Sequence, residues 1–169
     1  MKKPLMKMNP KFTIETLRGL IAVCRDSEQG LRLCAGYTAS PQLRGVFTVL
    51  AWRCLAAIPE LEGAVCELGA DPAQGAVGPR GLTRERGKQW TALACSEDGA
   101  ILEECERGAS RLLEVYRNAL DEHLPERVRG IVLRQFERLM LSHEQIRDVC
   151  HQPIPDTLAM GPRGAQAGQ

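Results

Sequence analysis

The sequence predicts an all-α fold, a four-helix bundle built around one core, and three observations predict it. Four segments of about 23 to 28 residues place apolar side chains at steps of three and four, the repeat of one helix face. No run of β-branched residues alternates with period two, as a half-buried strand would. The 169 residues, 44% of them hydrophobic, can bury one sizeable core and do not demand a second.

Taken in order, residues 1–9 read as a loose tail. Asn9 or Thr13 can then cap a first helix, about 13–37, with the seam Ile14, Leu17, Ile21, Cys24, Leu31 and Ala35. Glu28 interrupts that seam, so a carboxylate stands where a core residue belongs. Ser40 followed by Pro41 marks a second start, since serine accepts from free amides and proline suits the first turn. The second helix, 41–68, carries Leu43, Phe47, Leu50, Cys54, Ala57, Leu61, Ala64 and Leu68 and stops at Gly69. Pro59 inside it removes one backbone hydrogen bond, and a kink near Leu55–Ile58 is expected.

From Gly69 to Asp98 glycine, proline and charge dominate, around a short amphipathic stretch with Leu82, Arg86, Trp90 and Leu93 on one side. This reads as a long crossover containing a short helix, with Trp90 as its apolar anchor. Ser96 can cap the third helix, 98–122, with the seam Ile101, Cys105, Gly108, Leu112, Val115 and Ala119. After Leu124 and Pro125 the fourth helix, 126–150, follows Val128, Val132, Phe136, Leu139, His143, Ile146 and Cys150. Residues 151–169 hold three prolines and three glycines with few apolar anchors and read as a disordered tail.

Charge and composition narrow the function. Twenty-two basic residues against 21 acidic ones leave a net charge of +1, without the positive field that general nucleic-acid binding uses. No apolar stretch near Met1 is long enough for a signal peptide or a membrane span, so a cytoplasmic setting is expected. The cysteine count, seven, is odd, and Cys24, Cys54, Cys66, Cys105 and Cys150 sit at apolar helical positions. They read as reduced thiols used as small core residues, not as a disulfide framework.

Short first and last turns with one long central crossover give an up-down-down-up order, the ferritin-like type of bundle. That order brings Glu28, Cys54, Cys105, Ala109 and His143 into one central layer, 13 to 17 residues from the same end. LIAVCRDSEQGLR at 20–32, ILEECERGASRLLEVYRNAL at 101–120 and LSHEQIRDV at 141–149 resemble a bacterial four-helix-bundle family of the ferritin-like superfamily. The family has no assigned function, and the likeness covers about residues 12–150. The first two motifs also resemble each other at an offset of 81, pairing Cys24 with Cys105. The second and fourth helices pair at an offset of 89, matching Cys54 with His143.

In ferritin-like di-iron proteins two helices each give one glutamate and two each give a Glu-x-x-His pair. Carried over by the offsets, this resemblance implies ligands at Glu28, residues 51 and 54, residue 109, and residues 140 and 143. Only Glu28 and His143 keep the ligand type; Ala51, Cys54, Ala109 and Met140 stand at the rest. With so few oxygen donors a di-iron ferroxidase is disfavoured.

Two readings of the layer remain open. Glu28 and His143 can form a buried polar pair that fixes helix register and needs no cofactor. Alternatively, Glu28, Cys54, His143 and Cys105 make a mixed-donor site for zinc or iron. A catalytic thiol at Cys24 or Cys105 is a third possibility without a C-x-x-C neighbour. The expectation is a non-catalytic bundle, an interaction or homo-oligomerisation module, with no nucleic-acid or membrane partner. Such bundle families also suggest an association with stress. Trp52, off the seam, can close the crossover side or meet a second chain, and an exposed aromatic patch there would favour self-association.

Overall fold

The structure, a computed structural model, describes residues 9–74 and 97–151. The expected terminal tails and the crossover with its short helix, including Trp90 and Ser96, lie outside the described residues. Four α-helices make up the rest: α1 Pro10–Tyr37, α2 Pro41–Glu67, α3 Asp98–Asp121 and α4 Glu126–His151. No strand occurs among the described residues.

The helix ends follow from local chemistry. Asn9 accepts from the Lys11 amide at 3.1 Å, with Pro10 in the first turn of α1. Ser40 does the same for Leu43 at 3.3 Å ahead of Pro41. Gly69, at φ 79°, takes the left-handed conformation that ends α2, and its amide reaches Cys66 O at 2.9 Å. Helix α2 continues through Pro59 without a break. Glu97 occupies the N-cap of α3 and makes no side-chain capping bond.

Asp98 in that first turn reaches across to the α1–α2 connection instead. It accepts from Thr38 Oγ1 at 2.8 Å, the Ala39 amide at 3.0 Å and the Ser40 amide at 3.1 Å. The carboxylate thereby satisfies backbone donors that neither helix can reach and ties three helices together at one end.

Helices α1 and α4 lie diagonally across the bundle, and each packs against both α2 and α3. Contacts between opposite helix ends set the directions. Thr16 donates to Glu122 at 2.6 Å, joining the start of α1 to the end of α3. Arg127 pairs with Glu67 at 2.7 Å, joining the start of α4 to the end of α2. Every neighbouring pair is therefore antiparallel, the up-down-down-up order. No helix among the described residues is long and apolar enough to cross a membrane.

The core forms two clusters. The larger centres on Leu17, Leu20, Leu61, Tyr116 and Val132, the smaller on Cys34, Phe47, Leu50, Ile101 and Ile146. Full burial of each such aliphatic or aromatic side chain stabilises the fold by about 1.5–3 kcal/mol. Two seams differ from their sequence reading. On α4 the buried positions are Val128, Val132, Gln135, Leu139, Ser142 and Ile146, with Phe136 and His143 only partly covered. On α3 Tyr116 takes the buried place expected of Val115. Cys24, Cys54 and Cys105 are buried as expected of small core thiols, Cys34 is buried as well, and Cys66 is exposed. The side chain of Cys150 lies outside the described set.

Candidate functional site: a polar chain and a central cavity

A hydrogen-bonded chain crosses the larger core cluster and touches all four helices. Gln135 on α4 donates through Nε2 to Ala57 O at 3.1 Å and to Glu60 Oε2 at 2.9 Å, both on α2. Its Oε1 accepts from the Tyr116 hydroxyl of α3 at 2.9 Å. That hydroxyl has one proton, so the Cys24 thiol of α1, 3.2 Å from the phenol oxygen, is the donor in the last link. Three buried polar side chains are thus satisfied without solvent.

Burial governs the acidity of these groups. It pushes the Cys24 thiol from 9.0 up to about 11, and the Tyr116 hydroxyl, which can turn its proton toward a thiolate, offsets part of the rise. Cys54 is pushed up to about 12, by burial first and then by the neighbouring charges of Cys24 and Glu28. Burial, with Cys24 beside it, also carries Tyr116 far above its ordinary range. A thiol held protonated is a poor nucleophile, which argues against catalysis at Cys24.

Above this chain, where the two core clusters meet, lies a cavity of about 60 Å³. All four helices border it. Leu50 and Cys54 of α2 and Leu139, Ser142 and His143 of α4 form one side; Ser27, Gly30, Cys105, Gly108 and Ala109 belong to the α1–α3 side. This is the layer that the height argument identified, and it brings Cys54, Cys105 and His143 around one space.

Glu28 does not border that space. Its carboxylate pairs with Arg32 one turn along α1 at 3.3 Å and is 17% exposed, against 74% for its partner. His143 Nε2 is 3.1 Å from Ser110 Oγ of α3. The expected Glu28–His143 pair does not form, because each residue lies beside the buried strip of its helix and finds a nearer partner. Among the described residues no three His, Cys, Asp or Glu side chains are grouped closely enough to hold a metal ion. Glu28, Cys54, His143 and Cys105, the donors expected of a zinc or iron site, do not make such a group.

The residues that do carry the interior polar layer, Tyr116 and Gln135, escaped the sequence reading. A signal for Gln135 exists. Val128, Val132, Gln135, Leu139, Ser142 and Ile146 follow a strict four-three alternation, the repeat of a bundle seam.

The fold and this interior define the class: an all-α, ferritin-like four-helix bundle. A ferritin-like neighbour supports it at the level of fold. That neighbour is a two-domain protein from Anabaena variabilis ATCC 29413 containing DJ-1/ThiJ/PfpI-like and ferritin-like domains, and the match covers 95% of this chain and 42% of the neighbour's. The TM-score is 0.68 at 11% identity. The chain thus spans less than half the length of that protein. No curated protein matches the chain. Residues 12–122 match the family model described as Domain of unknown function (DUF2383), and the chain belongs to that family.

Proposed function

We propose that the protein is a non-catalytic helical-bundle module that associates with a second copy of itself through the outer face of α2 and α4. One observation carries this reading. Arg53 Nη1 donates to Ser142 Oγ at 2.5 Å, which sets Trp52 and Leu141, the residues beside them, at one height on neighbouring helices. Trp52 is 67% exposed and Leu141 62%. Val49, three residues before Trp52 and therefore on the same side of α2, is also exposed.

Large aromatic and aliphatic side chains left in water favour association, and aromatic residues are enriched at interfaces. A net charge of +1 leaves little repulsion between copies. A stress-associated setting is compatible with such a module and rests on the family resemblance.

The test uses Trp52 as its own reporter in a Trp90→Phe background. Its emission moves to shorter wavelength as protein concentration rises, because the indole leaves water. An emission maximum that stays fixed from nanomolar to high micromolar protein contradicts the reading.

A second reading, a zinc or iron protein, has one observation in its favour: Cys54, Cys105 and His143 border one cavity. Elemental analysis of protein purified without a histidine tag after metal supplementation separates the two. The module reading expects metal far below one ion per chain.

A further inference from the structure

The cavity combines features that packing does not require. Gly108 borders it, yet a Cβ added there would meet nothing within 4 Å. Crowding therefore does not explain the glycine, alanine is the better helix former, and interiors ordinarily fill such space. Gly30, Ser27 and Ala109 complete a wall of small residues on the same α1–α3 side.

Two polar side chains that border this space have bonding capacity unused. Cys54 is 1% exposed, and its thiol makes no hydrogen bond among the described residues. His143 engages Ser110 through Nε2, which leaves Nδ1 without a partner among the described residues. Leu31, Leu50, Leu112, Leu139 and Ile146 give the space an aliphatic wall, and Asp26, Glu104, Arg111 and Ser142 also border it.

We propose that this cavity is a binding site for a small uncharged molecule with an apolar body and one hydrogen-bonding group. The leucine and isoleucine walls take the body, while Cys54 and His143 offer the polar contact, the mixture common to small-molecule sites. A volume of about 60 Å³ admits roughly two to four non-hydrogen atoms. An ion is disfavoured, because it would lose its hydration against aliphatic walls. This site is separate from the α2–α4 outer face and stands or falls independently of it.

The experiment is an NMR titration of the full chain with propan-1-ol, xenon, propionate and propylammonium, following labelled leucine and isoleucine methyls. Propan-1-ol and xenon should give saturable shifts at Leu112, Leu139 and Ile146, and the two ions none. Gly108→Leu, which grows a side chain into the space, should weaken propan-1-ol binding by about tenfold or more. Ala109→Leu serves the same purpose if that variant does not fold. Cys54→Ala should weaken propan-1-ol and leave xenon unchanged. The proposal is overturned if propan-1-ol gives no saturable shift, if the filled variants bind it as well as the wild type, if an ion binds more tightly, or if Cys54→Ala affects both neutral probes equally.

Discussion

The Tyr116 hydroxyl stands 3.2 Å from the Cys24 sulfur and 2.9 Å from Gln135 Oε1, so one phenol joins three helices inside the core. Removing it leaves the Gln135 oxygen and the Cys24 thiol without their buried partner. Tyr116→Phe should cost about 1–2 kcal/mol in urea unfolding. Gln135→Leu should also destabilise, and the double variant should lose less than the two single losses added together. Strict additivity would show that the chain does not act as a unit.

Alkaline pH tests the same region. An unfolded chain releases the protons of Cys24 and Cys54 near pH 9, while the folded chain keeps them until about 11 and about 12. Because the folded values are raised, the contribution is complete below pH 9 and is lost as pH rises through the folded values. Each thiol should remove about 1.4 kcal/mol per pH unit within its window. Thermal unfolding should therefore give a Tm that is flat near neutrality and falls steeply above pH 9. Cys24→Ser, which keeps a donor to Tyr116, should reduce that slope; an unchanged slope would contradict the assignment.

Asp98 is the third test. It accepts three hydrogen bonds from the α1–α2 connection, two of them from backbone amides. Asp98→Ala should lower stability by about 1–3 kcal/mol, as loss of a charged hydrogen-bond acceptor does. Hydrogen exchange should quicken at Ala39 and Ser40 in particular. A variant with unaltered exchange at those amides would show that the carboxylate is not their acceptor in solution.

Glu28 supplies a contrasting case. Its only ion-pair partner among the described residues is the largely exposed Arg32. Glu28→Ala should change stability by no more than about 0.5 kcal/mol, the usual range for such pairs. Combining it with His143→Leu should add nothing beyond the two single effects. Coupling between the two positions in a double-mutant cycle would restore the contact that the sequence suggested.

The four helices were legible because their signals are local. Ser40–Pro41, Gly69 and Pro125 each act on their own neighbours, and helix boundaries fell within a few residues of expectation. The interior polar residues were less legible because their partners are remote. Choosing Phe136 over Gln135 followed hydrophobicity at one step of the α4 seam; the fold follows the spacing that brings Gln135 to Tyr116 and Glu60. Likewise Glu28 occupies a seam position by count, yet the seam drifts past it toward Gly30 and Cys34. The cavity could be located by height but not seen, since empty space belongs to no single residue.

Self-association through Trp52 and Leu141 is most directly tested by sedimentation equilibrium of the full chain across a wide concentration range. The account predicts a mass above the 18.6 kDa of one chain, reverting to 18.6 kDa in Trp52→Glu with helix content unchanged. A wild-type protein that remains at 18.6 kDa at high micromolar concentration would contradict it.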